Sequence, residues 1–209
     1  KKEYKMYYAL ATVNGARKQI TLTFAPWLLI DIFGQPVTVI TALFFLVCVM
    51  NLFFKPWYGH LIDRKGESYA LKLEAFVMFA ACVGFAFSKS LFPFQVALIM
   101  VGISYVADKL MESAGMARAT YVRKMCHEPS EVSRTLAMGQ SMDHVVSMTI
   151  PLLAGYVWYA NGSGGYVYVF IGGMVISALN YYLASQLRVP KTHQHDVKAE
   201  DVIDIAHEE

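Results

Sequence analysis

Hydrophobic residues run through this chain in six long stretches, separated by short segments rich in charged, glycine or proline residues. An α-helix needs about 20 residues to cross a hydrocarbon core of roughly 30 Å, and each stretch is long enough. The pattern predicts six membrane-spanning helices, at about residues 4–32, 36–58, 68–87, 91–117, 135–160 and 166–187. They form one predicted transmembrane domain, 1–188, followed by a cytoplasmic polar tail, 189–209.

The composition supports an all-α membrane protein and argues against a soluble domain. The chain is 56% hydrophobic and 16% charged, whereas soluble domains have roughly 45–50% and about 25%. A soluble fold of this length has no way to hide so much apolar surface, because much of its exterior must be polar. We therefore expect the lipid bilayer as the surroundings, and no nucleic acid as a partner.

The distribution of basic residues predicts the orientation of the helices. Fourteen of the eighteen Lys and Arg residues lie on one side of the predicted membrane, and only Lys89 lies on the other. Short loops rich in Lys and Arg stay in the cytoplasm. Both termini and the loops at 59–68 and 118–134 are therefore predicted to be cytoplasmic, in a multi-pass protein of the plasma membrane.

Ionisable and polar residues inside the predicted spans cluster on three of them. Such residues are costly in a bilayer and are functional candidates. Helical spacing places them on one face of the first, fourth and fifth helices. We therefore expect these three helices to face a cavity, and the third and sixth to face lipid. The candidate substrate-binding or coupling residues are Asn14, Arg17, Lys18, Asp108, Lys109, Gln140, Asp143 and His144.

Two interpretations of these charges stay open. In the first, three bases and three acids neutralise each other as internal ion pairs that hold the helices or form a gate. They are Arg17, Lys18, Lys109, Asp108, Glu112 and Asp143. Alternatively, some of them contact a substrate or a coupling proton. Arg17 is the strongest candidate for an anionic group, because guanidinium suits carboxylate and phosphate. Asp143 with His144 is the best candidate for a titrating pair.

The sequence offers little for enzymatic or metal chemistry. Cys48, Cys82 and Cys126 lie far apart and form no CxxC pattern, so no metal site is expected. No HExxH motif, nucleophile elbow or phosphate-binding loop occurs in a suitable context. We expect neither a cofactor nor an enzymatic activity.

The most specific motif lies between the second and third predicted helices. Gly59, Asp63, Arg64 and Gly66 fall within eight positions, in the order Gly-x-Leu-x-Asp-Arg-x-Gly. This stretch resembles the signature loop of the major facilitator superfamily of transporters. The resemblance implies one six-helix half built as two inverted three-helix repeats, most like the C-terminal half. It also implies that Asp63 caps a helix end and that Asp63 and Arg64 join ion pairs across a cytoplasmic gate.

The resemblance implies a function and a partner. The function is secondary active transport of a small solute by alternating access, as symport or antiport, with proton coupling left open. The partner is a second six-helix half, either a preceding part of the same chain, since the sequence opens without Met, or a homodimer mate. The alternative from another class is a membrane scaffold or regulatory module that keeps the fold without transporting.

Overall fold

The computed structural model describes residues 4–126 and 129–187, and this part of the chain is almost entirely helical without strands. The predicted tail, 189–209, lies outside the described residues. Seven α-helices follow one another: α1 Lys5–Trp27, α2 Val37–Lys65, α3 Glu67–Leu91, α4 Phe94–Met111, α5 Gly115–Met125, α6 Pro129–Ala160 and α7 Gly165–Ser185.

The first helix changes character near its end and then stops at a tight turn. Pro26 lies inside α1, and a π-helical segment, Leu28–Ile32, continues the helix. Proline has no N–H to donate to the preceding turn, which favours such a local change of winding. Gly34 then takes a φ of +62°, and Pro36 in extended conformation precedes α2.

The length predicted for the charged loop at 59–68 is wrong. Helix α2 continues to Lys65, and α3 begins at Glu67. Ile62 is buried, and its carbonyl oxygen accepts a hydrogen bond from the Gly66 N–H at 2.8 Å. Gly66 alone breaks the helix, with a φ of +82° that glycine adopts readily. The motif is therefore a helix end with a one-residue break.

The loop predicted at 118–134 is also mostly helical. A 3₁₀ turn, Glu112–Ala114, joins α4 to α5, and α6 begins at Pro129 rather than near residue 135. Tyr121 and Val122 are buried, so apolar contacts stabilise α5 despite the charges around it. The third helix is likewise longer than predicted, because it runs on to Leu91.

Helix α1 lies in the interior of the bundle. It packs against α6 and α7, while α3 packs against α4 and α7; α2 contacts α3 and α4, and α6 contacts α7. One apolar cluster surrounds Phe24, Leu28 and Phe170. A second surrounds Tyr58 and Leu71. The two clusters leave the middle of the bundle to polar residues.

In the part of the chain that the structure describes, four helices are long and apolar enough to cross a membrane: Val37–Lys65, Glu67–Leu91, Phe94–Met125 and Gly162–Ser185. Only 6% of the most apolar stretch of α2 is buried, against 50% in α3. The third helix was predicted to face lipid. One of its sides packs inside the bundle instead. The most exposed apolar helix is the second.

The close approach of α6 and α7 yields a test of the fold. A Cβ on Gly165 would lie 2.6 Å from Cα and 2.8 Å from the carbonyl carbon of Trp158. Both are main-chain atoms, so Gly165→Ala must displace the backbone. We expect it to lower the free energy of unfolding by about 1–3 kcal/mol, measured by thermal unfolding in detergent.

Gly172→Ala in the same helix is the matched control, because no atom lies within 4 Å of the added Cβ. Alanine favours helix by about 1 kcal/mol over glycine, so this variant should be as stable as the original or more so. Equal unfolding temperatures for the two variants would contradict the packing of α7 on α6.

Candidate functional site

Arg17 lies at the centre of a buried group of charges. Its side chain is nearly inaccessible, with 1% of its surface exposed. One guanidinium nitrogen, Nη1, lies 3.3 Å from Asp108 Oδ1. The other, Nη2, donates to Asn14 Oδ1 at 3.0 Å and lies 3.8 Å from Glu74 Oε1. Arg17 therefore links α1 to both α3 and α4.

Glu74 continues the group toward the end of the bundle where α5 lies. Both of its carboxylate oxygens accept hydrogen bonds from Arg118 Nη1, at 3.1 and 2.9 Å. Glu74 is completely buried, and the Arg118 side chain is 15% exposed. A charge held so far from water needs a partner, and Arg118 is the nearer of the two that Glu74 has.

Asp108 extends the group in the other direction. Its second oxygen, Oδ2, lies 3.9 Å from Lys109 Nζ, and Lys109 donates to Glu112 Oε1 at 2.9 Å. The Glu112 side chain is 40% exposed. The charges thus form a continuous alternating series from the interior to an accessible surface.

We call this series the ionic chain. In order, its members are Arg118, Glu74, Arg17, Asp108, Lys109 and Glu112. It joins α1, α3, α4 and α5 and has equal numbers of acids and bases.

Sequence reasoning missed two members of the ionic chain. Glu74 lies on the third helix, which was predicted to face lipid, and Arg118 lies in the predicted loop at 118–134. Glu67 and Glu74 are seven residues apart and share a face with the buried Ala70 and Leu71, a spacing that marks one side of a helix. An acidic residue on that buried face was the available signal. For Arg118 no signal existed without knowing that helix continues past residue 117.

A cavity of about 330 Å³ lies beside the ionic chain. It collects five of the eight predicted binding or coupling residues, from α1 and α6: Asn14, Arg17, Lys18, Gln140 and Asp143. Asp108 and Lys109 belong to the ionic chain but do not line this cavity. His144 is exposed and is also not among its lining residues. Among the described residues, neither Asp143 nor His144 has a side-chain hydrogen bond or ion pair, and their role as a titrating pair stays a prediction.

Two charged residues of the cavity have no ionic partner. Across residues 4–126 and 129–187, the side chains of Lys18 and Asp143 make no ion pair and no hydrogen bond, with each other or with another residue. Asp143 approaches α1 closely at Gly15, where an added Cβ would overlap the carboxylate. The cavity therefore presents one cation and one anion that the protein itself leaves uncompensated.

The predicted gating residues are arranged differently. Gly59 lies within α2, and Gly66 forms the break after it. Asp63 and Arg64 are exposed in the last turn of α2, and neither forms an ion pair inside the described part of the chain. The ion pairing across a gate predicted for them stays a prediction.

A separate ion pair ties α3 to α5. Glu67 is 1% exposed, and its Oε1 lies 2.6 Å from Lys124 Nζ. Nearby, the Ser68 hydroxyl donates to the Ala184 carbonyl at 3.1 Å. These contacts fasten the start of α3 at the end of the bundle where α2 ends.

Within the described ranges, no group of three or more His, Cys, Asp or Glu residues has an arrangement suited to a metal ion. Comparison with models of protein families, with curated proteins and with solved structures finds no match for this chain. The site's own geometry therefore carries the functional argument.

The pairing of Glu74 with Arg118 gives a direct test of the ionic chain. Arg118→Gln leaves a fully buried carboxylate with only the longer contact to Arg17. Removing one partner of a buried pair costs about 3–5 kcal/mol, and we expect a loss of that order in the free energy of unfolding. Adding Glu74→Gln should recover part of the loss, since the uncompensated charge is then gone.

The matched control is Arg123→Gln, which changes an exposed arginine of the same helix. Surface substitutions of this kind stay within about 0.5 kcal/mol. The ionic chain would be contradicted if Arg118→Gln and Arg123→Gln unfolded at the same denaturant concentration, or if Glu74→Gln made the Arg118 variant less stable.

Proposed function

We propose that this chain is the six-helix half of a secondary active transporter of the plasma membrane, which moves a small solute by alternating access. The observation that carries the proposal is the cavity lined by α1, α3, α5 and α6, where Lys18 and Asp143 have no ion-pair partner among the described residues while the ionic chain is paired. Uncompensated charges in a membrane domain are costly. A ligand-binding role explains why the chain keeps them.

The packing of the helices supports the two inverted three-helix repeats. The six proposed spans are α1, α2, α3, α4 continued by α5, α6 and α7. The proposed relation exchanges the first three spans with the last three. It converts the contact of α1 with α6 into that of α4 with α2, the contact of α3 with α4 into that of α7 with α1, and the contact of α2 with α3 into that of α6 with α7. The contact of α3 with α7 is unchanged. All seven pairs are in contact. A pseudo-two-fold relation between repeats predicts such a correspondence; the contact of α5 with α6 lies outside it.

The two helices that are not among the apolar spans fit this proposal. Helix α1 carries Arg17 and Lys18, and α6 carries Gln140 and Asp143. Polar residues lower the mean hydropathy of a span, yet a helix that faces protein and a water-filled cavity tolerates them. Helix α1 also buries about half of its residues in the bundle.

The ionic chain suggests how such a protein changes state. Arg17 makes one short contact with Asp108 and one longer contact with Glu74, so small shifts of α1 redistribute these bonds between α3 and α4. Interfaces of this kind switch between discrete arrangements rather than deform gradually. A solute that reaches the cavity has differential contacts with the two arrangements, as coupling requires.

A second six-helix unit completes the proposal, as a preceding part of the same chain or as a homodimer mate. Helix α2 offers a large exposed apolar surface, and the exposed Asp63 and Arg64 at its end are free to pair across a cytoplasmic gate. Whether a proton is coupled, in symport or antiport, depends on Asp143, the cavity carboxylate that no base compensates.

A membrane scaffold or regulatory module is the second candidate. The observation in its favour is that most charges of the site already satisfy one another and stabilise the bundle without any ligand. A transport role accounts for the unpaired charges of Lys18 and Asp143, whereas a scaffold role does not.

Access to the cavity from both sides of the membrane tests the proposal. In a background with Cys48, Cys82 and Cys126 replaced by alanine, Gln140→Cys places a thiol in the cavity wall. We expect a membrane-impermeant maleimide to label it from either face, in right-side-out and in inside-out vesicles, because both states are populated.

Lys65→Cys and Ser163→Cys are the controls, since both positions are exposed and are predicted to lie on opposite faces. Each should react from one face only. Labelling of Gln140→Cys from a single face under all conditions would refute alternating access and favour the scaffold.

A further inference from the structure

The chemistry of the cavity points to a class of solute, once the paired charges are set aside. Eight charged residues belong to the cavity or to the ionic chain, and they sum to zero: Arg17, Lys18, Lys109, Arg118, Glu74, Asp108, Glu112 and Asp143. Their sum therefore says nothing about a ligand. Their pairing does, because six of them are bonded within the ionic chain and two are not.

We infer that the cavity binds a small zwitterion, whose anionic group is held by Lys18 and whose ammonium group is held by Asp143. This inference rests on the proposed function, since it takes the cavity as the transport site. Both side chains are half-exposed, so a ligand with one charge would displace water from the other residue without compensating its charge, which is costly. A zwitterion compensates both.

The neighbouring polar groups fit each end of such a solute. Arg17 Nε is buried without an acceptor among the described residues, so a donor remains beside Lys18 for an anionic oxygen. Gln140 lies one helical turn before Asp143 and lines the same cavity, where its amide oxygen is able to accept from an ammonium. Asn14 is already engaged by Arg17.

The size of the cavity limits the solute. Its volume of about 330 Å³ lies at the lower end of ligand pockets, which span roughly 300–1,000 Å³. The wall also contains Tyr7, Ala11 and Leu136, which offer apolar contact to a carbon skeleton. A compact amino acid fits these limits better than a peptide or a nucleotide.

Matched probes test the inference in the purified protein. Each set compares a zwitterion with the same molecule lacking its ammonium group and with the same molecule lacking its carboxylate: 4-aminobutyrate, butyrate and propylamine; glycine, acetate and methylamine; phenylalanine, 3-phenylpropanoate and 2-phenylethylamine. Dissociation constants come from the rise in unfolding temperature with probe concentration. In at least one set we expect the zwitterion to bind roughly tenfold more tightly than either partner, the effect of one charge-assisted hydrogen bond.

Variants assign each end of the probe. Lys18→Met should reduce the affinity for the zwitterion to that for the amine, and Lys18→Arg should restore it. Asp143→Asn should reduce the affinity for the zwitterion to that for the carboxylate. Lys89→Met and Asp31→Asn change exposed charges outside the cavity and should leave all affinities unchanged.

Three outcomes would overturn the inference. One is a set of zwitterions that bind no better than their matched anions and cations. Another is a preference for zwitterions that survives both Lys18→Met and Asp143→Asn. The third is a carboxylate that binds the Asp143→Asn protein as tightly as the zwitterion binds the original, which would assign Asp143 to a coupling proton. If Gln140→Cys still reacts from both faces in these cases, the proposed transport function is retained and only the proposed solute class is rejected.

Discussion

The structure depends on how a buried arginine is compensated. Arg17 lies inside the bundle with 1% of its surface exposed, in a helix surrounded by apolar neighbours. Its charge requires acceptors from other helices, and Asp108 and Glu74 supply them from α4 and α3. Each of these acids has a further base as its partner, and one of those bases, Lys109, also pairs with Glu112, so six residues take part. The contacts of the ionic chain therefore determine the position of α1 relative to α3 and α4.

Two charged residues of the cavity stand apart from the ionic chain. Within the described residues, Lys18 and Asp143 have no ion-pair partner, whereas the other charged residues of the cavity wall belong to the ionic chain. The cavity is lined by residues of α1, α3, α5 and α6. The contact between α1 and α6 belongs to a packing pattern that repeats when the first three proposed spans are exchanged with the last three, which supports the proposed inverted repeats.

Much of the fold was predictable from hydrophobic runs, and the limits had physical causes. The lengths of the hydrophobic runs identified the helical stretches. Helical spacing placed Asn14, Arg17 and Lys18 on one face of the first helix, and all three line the cavity. Charged residues between runs were read as loops, but α2 continues to Lys65 and α5 forms at 115–125, because buried Ile62, Tyr121 and Val122 stabilise helix there. Glu74 was missed because pairing between helices depends on their packing, which no single helix reveals.

The most direct measurement is a pair of double-mutant cycles on the free energy of unfolding in mixed detergent micelles. Residues in contact show interaction energies of about 0.5–3 kcal/mol, whereas independent residues add. Arg17→Gln with Asp108→Asn should give an interaction energy of at least about 1 kcal/mol. Lys18→Gln with Asp143→Asn should be additive within about 0.5 kcal/mol. Additive effects in the first cycle, or equal coupling in the second, would contradict the division into paired and unpaired charges.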